Sequence, residues 1–162
     1  MNSPPGGTTL NSMHVLDATD RRILTVLDAD PRATVQAIAY RLGLARGTVH
    51  TRLDKLQTSG ALRANSLRLD PPALGWPLRA RITAEANQEE LEGMIADLEL
   101  IPEITECFAV SGPSDLAIEI VARDADDVYR VTQEIMKCRG VIRTSTAIML
   151  RGLIARRQHQ LL

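Results

Sequence analysis

Between positions 45 and 58 lie side chains whose types and spacing suit contact with a polyanion. Val49, Leu53 and Leu56 recur at i, i+4 and i+7, which gives a helix one apolar stripe and leaves the opposite face polar. That polar face carries Arg46, Gly47, Thr48, His50, Thr51, Asp54 and Lys55. A helix of this kind fits a DNA major groove, about 12 Å wide. Arg46, near its start, can reach a phosphate or a guanine. His50 and Thr51 can hydrogen-bond to base edges. Arg52, Lys55 and, from the preceding segment, Arg41 can neutralise phosphates, contacts that position a protein without specifying sequence. The simpler alternative is a small helical bundle with a solvated basic face.

A second constellation is the turn Ser111-Gly112-Pro113-Ser114-Asp115, which offers backbone amides, two hydroxyls and one carboxylate. A zwitterionic amino acid needs an anion beside its ammonium and donors toward its carboxylate. Asp115 suits the first need, and turn amides with Thr144 or Thr146 suit the second. A plain hairpin in which Asp115 satisfies its own backbone is the alternative. Elsewhere chemistry-bearing residues do not assemble. His14, His50 and His159 lie far apart, without metal-ligand spacing. No nucleophile–base pair, glycine-rich phosphate loop or twin-carboxylate motif is present, so neither catalysis, nor a metal, nor a cofactor is expected. Cys107 and Cys138, the two cysteines, make no disulfide framework. Each reads as a small core residue of a protein kept in a reducing cytoplasm.

The elements that must position these residues follow from pattern. The chain has 162 residues, 44% apolar and 24% charged, with a net charge of −1. That suits one globular domain or two small ones. No run approaches the roughly 18 apolar residues of a membrane span, and no basic-then-apolar leader suggests a signal peptide. The near-neutral total conceals an asymmetry. Residues 1–65 hold eight basic side chains against five acidic ones, a balance of +3, so the remainder carries −4. Within 33–68 six basic residues face one acid, Asp54, a local +5. Such a split suggests two parts with different partners.

Residues 1–14, rich in Pro, Gly, Ser and Thr, read as a disordered leader. Helices are expected over 17–30, 35–42 and 45–58. Thr34 is the N-cap of the second, and Gly43, able to take positive φ, ends it. The tight turn between the second and third helices marks a helix-turn-helix domain over 15–62. Residues 63–75 form an extended arm or hinge punctuated by Pro71, Pro72 and Gly75. The period then changes to two over 78–84, a strand. A helix over 87–100, strands over 104–110 and 116–123, a helix over 124–138 and a strand over 141–154 follow. This β-α-β, β-α-β order over 76–154 is that of a ferredoxin-like α+β fold, with 155–162 as a tail. Glu119 should pair with Arg79 and Arg81 on a neighbouring strand. Strands apolar on both faces suggest that one side of the sheet covers helices and the other meets a partner sheet.

The segments Leu16-Asp17-Ala18-Thr19-Asp20-Arg21-Arg22-Ile23-Leu24, Leu42-Gly43-Leu44, Val49-His50-Thr51-Arg52-Leu53-Asp54-Lys55-Leu56, Ser59-Gly60-Ala61-Leu62, Val110-Ser111-Gly112 with Asp115, and Gly140-Val141 occur in the order and spacing of one family. The chain resembles the Lrp/AsnC (feast/famine) transcription regulators along most of its length. The resemblance implies an α+β chain: an N-terminal winged helix-turn-helix, then a C-terminal ferredoxin-like (βαββαβ, RAM) domain. It further implies double-stranded DNA as partner, homodimers that assemble into tetramers of dimers, and a small effector, an amino acid or relative, held between dimers. Ser111, Gly112, Ser114 and Asp115, with Gly140, Arg143 and Thr144, match the effector-binding segments. Such a regulator would be cytoplasmic and nucleoid-associated, neither an enzyme nor a membrane protein. An architectural DNA-coating protein and a tetrapyrrole-pathway decarboxylase of similar architecture are the rival readings. Two departures from the family pattern stand out. Ala45 occupies the cap of the third helix, where a hydroxyl would stabilise it by about 1 kcal/mol, and Leu116 follows Asp115 where many members carry an aromatic.

Overall fold

The computed structural model describes residues 15–162, so the leader expected over 1–14 lies outside the described residues. Two compact units are present, one reaching to Leu67 and including Ala155–Leu162, the other Arg68–Ile154.

The first unit holds three helices, α1 (Ala18–Ala29), α2 (Val35–Leu42) and α3 (Arg46–Thr58). Ile23, Ile38, Ala39 and Val49 form its core, with Leu27, Leu42, Leu44 and Leu53 packed around them. Asp17 caps α1. Its carboxylate accepts from the amides of Thr19 and Asp20, and Asp20 reaches back to the Asp17 amide, so two orphan donors at the helix start are satisfied reciprocally. The Thr34 hydroxyl accepts from the Ala37 amide, as expected of an N-cap, and Gly43 at φ 65° turns the chain out of α2. The Arg22 guanidinium donates to the Leu42 carbonyl at 3.0 Å and closes that helix end.

The strand-like wing that the resemblance implies beside the helix-turn-helix is not seen. No strand lies between α3 and residue 78. The Leu62 amide turns back to the Leu56 carbonyl. The arm read over 63–75 is likewise folded into two 3-10 turns, Asn65–Arg68 and Pro71–Leu74. Adjacent prolines preset φ and remove two ladder donors, which favours the turn over a strand.

The second unit is an antiparallel sheet of β1 (Leu78–Ala86), β2 (Ile104–Ala109), β3 (Leu116–Ala122) and β4 (Val141–Ile148) in the order β2-β3-β1-β4. Two helices, α4 (Leu91–Leu98) and α5 (Ala125–Met136), cover one face. Ala80, Ile82 and Ala84 of β1 and Leu116, Ile118 and Ile120 of β3 point at Met94, Leu98, Val131 and Ile135. This is the expected ferredoxin-like arrangement. The helix expected over 87–100 is split, with a 3-10 turn at Gln88–Glu90 before α4, because Asn87 accepts from the Glu89 amide and tightens the first turn. The last strand stops at Ile148 instead of 154. Its neighbour β1 begins at Leu78, so beyond the bond from the Met149 amide to the Arg79 carbonyl only one residue of β1 remains to pair.

On the uncovered face Glu119 accepts from Arg79 at 3.1 Å and from Arg81 at 2.6 Å, the pairing expected from the sequence. The Arg81 hydrogen bond, reinforced by Arg79, holds the Glu119 carboxyl below its usual range. Cys138 is buried, but Cys107 is exposed. Its strand, β2, lies at the sheet edge, which corrects the expectation that both thiols lie in the core.

Candidate DNA-binding face and ligand-binding turn

Helix α3 buries Val49 and Leu56 completely and leaves Arg46, Gly47, Thr48, His50, Thr51, Asp54 and Lys55 exposed. It starts without a side-chain cap at Ala45. The Arg46 guanidinium and the Lys55 ammonium make no hydrogen bond or ion pair among the described residues. Arg41 is exposed and lies 3.2 Å from Asp30, itself exposed. A surface pair of that kind contributes little and exchanges readily for a phosphate. His50 Nε2 sits 3.4 Å from Asp54 Oδ2.

Arg52 departs from its expected role. Its guanidinium turns away from the exposed face and donates to Asp17 at 2.6 Å and to Asp20 at 2.8 Å. The Asp20 side chain is only 2% exposed. Arg52 follows Val49 by three residues, so it projects beside the apolar stripe and not opposite it. The Arg52 hydrogen bond, together with the Asp20 and Thr19 amides, pulls the Asp17 carboxyl down to about 2. Arg52 therefore ties the middle of α3 to the capped start of α1. It positions the helix and is not available to a phosphate. The signal was present in the sequence as Asp17 and Asp20 ahead of an otherwise apolar helix face.

In the second unit the two expected effector segments converge on the last residues of β1. The Asp115 amide donates to the Ala84 carbonyl, and the Gly140 carbonyl accepts from the Asn87 amide. Asp115 Oδ2 accepts from the Ala86 amide at 2.8 Å. On the other side of β1, Thr144 pairs with Ala84 and Arg143 with Glu85. Thus residues 111–115 and 140–144 flank one strand end. Arg143 is held by Glu85 at 2.7 Å. Thr146 faces α5, where its hydroxyl lies 3.2 Å from that of Thr132, so it is turned away from this end.

Arg139 and Gly140, of which only the second was expected to matter, shape the loop. Arg139 clamps both Asp97 oxygens, at 2.8 and 2.7 Å, and its amide donates to the same carboxylate. The Arg139 hydrogen bonds pull the Asp97 carboxyl down to about 2. Gly140 has φ 71°, and a Cβ there would stand 2.9 Å from Glu90 Cβ, so any larger residue is excluded by both backbone and space.

A helix-turn-helix with a free cationic face, joined in one chain to a ferredoxin-like domain with a polar turn, is the arrangement of a one-component, ligand-responsive DNA-binding regulator. Family models agree: an AsnC-type helix-turn-helix domain matches residues 16–57, and an Lrp/AsnC ligand binding domain matches residues 80–158. The HTH-type transcriptional regulator FL11 of Pyrococcus abyssi is 30% identical over 136 residues, 84% of this chain and 90% of its own. The HTH-type transcriptional regulator AldR of Mycolicibacterium smegmatis is 31% identical over 122 residues, 74% of this chain and 71% of its own. A feast or famine regulatory protein from M. tuberculosis, solved in complex with L-methionine, superposes with a TM-score of 0.77 at 30% identity, covering 90% of this chain and 99% of that one. The chain belongs to the Lrp/AsnC family of transcriptional regulators. It is a helix-turn-helix regulator with a ligand-binding domain, not an enzyme, and the coating-protein and decarboxylase alternatives are not favoured. Among the described residues no helix is long and apolar enough to cross a membrane.

Proposed function

We propose that this regulator recognises specific operator sequences as a homodimer, with tetramers of dimers as the higher assembly, and that an amino acid or close relative controls it. The observation that carries the reading is the outward face of α3, where the Arg46 and Lys55 side chains have no partner among the described residues while Arg52 fixes the helix from behind. Arg46, Gly47, Thr48, His50, Thr51 and Lys55 meet the duplex, with Arg41 released from Asp30 to a phosphate. Two recognition helices then lie in major-groove segments about one helical turn, or a multiple of it, apart.

The dimer forms through the ferredoxin-like domain. Its uncovered sheet face carries the Arg79–Glu119–Arg81 ladder, and Phe108, Val110, Ile148, Leu150, Leu153 and Ile154 are exposed, more apolar surface than a lone domain ordinarily leaves in water. Sedimentation of a monomer at DNA-binding concentrations would overturn this. The functional segments are the DNA-binding domain over 15–62, the hinge over 63–75, the effector domain over 76–154 and the tail over 155–162. As a DNA-binding regulator the protein resides in the cytoplasm, associated with the nucleoid.

The effector sits where the turns meet at the end of β1. The amides of Ser111, Gly112 and Ser114 with Thr144 face its carboxylate, Asp115 faces its ammonium, and Gly140 and Arg143 complete the site. A Neisseria meningitidis regulator and the M. tuberculosis protein, each solved in complex with L-methionine, support that ligand class. Coupling between effector and DNA must be reciprocal: each changes the other's affinity by the same factor. Asp115→Asn keeps an acceptor for the Ala86 amide but removes the charge. Titration calorimetry with a panel of amino acids should identify a ligand for the wild type and show its binding weakened at least about tenfold in the variant, with operator affinity in the absence of ligand unchanged. Equal ligand affinities in the two proteins would exclude Asp115 as the ammonium partner.

A further inference from the structure

The exposed face of α3 is ordered across its width as well as along its length. At about 100° per residue, Gly47, Thr51 and Asp54 project within ~40° of the direction opposite buried Val49. Arg46 and Lys55 lie ~60° or more to either side of that row. The cations are therefore placed to meet the two phosphate walls of a groove, and the middle row meets its floor. Two residues of this row are not required by the packing of the fold. Gly47 has ordinary helical geometry, and a Cβ on it would touch nothing within 4 Å, so the fold does not need a glycine that weakens the helix. A bare position lets the helix approach base edges closely. Asp54 is the one acid of the basic segment 33–68. Its side chain is 57% exposed, and among the described residues its one ion-pair partner is the exposed His50 at 3.4 Å.

A carboxylate on a wall-facing flank would repel phosphate. In the middle row it faces base edges, where it can only accept, and cytosine offers the N4 amino group in the major groove. We propose that Asp54 is a specificity-determining residue of this DNA-binding face, accepting a hydrogen bond from the N4 amino group of a cytosine in each half-site while Gly47 allows the close approach. This rests on the reading of α3 as the recognition helix.

The test is selection of duplexes from a randomised library by the full-length protein and by its Asp54→Ala and Asp54→Asn variants. The wild type is expected to enrich C·G at one position of each half-site by about 5- to 150-fold over other pairs. Asp54→Ala should flatten that position alone. Asp54→Asn, isosteric and able to pair with adenine N6 and N7, should convert it to A·T. Recovery of the wild-type motif at every position by both variants would overturn the role of Asp54 and leave α3 as the recognition helix. Asp54→Asn protein that is folded by circular dichroism yet selects nothing would likewise overturn it. Failure of the wild type itself to select any motif would remove the sequence-specific reading, and this inference with it.

Discussion

Replacing Arg46 and Lys55 together by alanine is expected to weaken operator binding roughly 30-fold for each recognition helix engaged at physiological salt, and to flatten the log–log salt dependence by about 1 to 2 units per helix. Each phosphate contact releases condensed counterion, so losing two contacts reduces both the affinity and its dependence on salt. Both side chains are exposed and make no bond to the rest of the protein among the described residues, so the folded state should be untouched. Titrations at several salt concentrations supply both quantities. An unchanged slope would remove these two residues from the DNA interface, whatever happened to affinity.

Arg52 makes the complementary case. Arg52→Met should also weaken DNA binding strongly, but with the slope altered by less than about half a unit, because the guanidinium engages Asp17 and Asp20 and no phosphate. It should lower the thermal midpoint as well, since a nearly buried Asp20 carboxylate loses its cationic partner, a change that is strongly destabilising at buried sites. The pH dependence has a definite sign. The folded Asp17 carboxyl titrates at about 2, against 3.8 for the free group. A group depressed in this way stabilises the fold fully above its unfolded value and loses that contribution as pH falls toward its folded value. The stability Asp17 provides is thus complete above about pH 4 and disappears toward about pH 2. Carboxyl-carbon NMR titration of Asp17 should place its midpoint near the depressed value in the wild type and raise it toward the ordinary one in Arg52→Met, where the Thr19 and Asp20 amides alone still hold it down. A slope that fell by a full unit, with an Asp17 midpoint that did not move, would return Arg52 to the phosphate-contacting set.

The contrast between Arg52 and its neighbours marks how far the sequence could be read. Periodicity located α3, its buried stripe of Val49, Leu53 and Leu56, and the outward Arg46 and Lys55, because burial is set by spacing along one helix. What it did not reveal was that Arg52 reaches a partner 32 and 35 residues away. Such long-range pairing depends on how α1 and α3 cross, which local pattern does not encode. The strands β1 and β3 were readable from alternation, and Glu119 with Arg79 and Arg81 followed from strand adjacency. The end of β4 was not readable, since Leu150, Leu153 and Ile154 are as apolar as a strand requires. The strand ends where its neighbour β1 begins. The wing failed for a local reason that outweighed the expectation, the return of the Leu62 amide to α3, and the arm folded into turns around the Pro71-Pro72 pair. The convergence of 111–115 with 140–144 needed the sheet order β2-β3-β1-β4, which places β1 between the two turns.

Photocrosslinking from α3 tests the placement of its outer face most directly. A photoreactive residue at Thr51, in the middle row of α3, should link to bound duplex in high yield. The same residue at Tyr129, 67% exposed on α5 of the ligand-binding domain, should not. Crosslinks to DNA from position 129 with none from position 51 would contradict the assignment of α3 as the helix that lies in the groove.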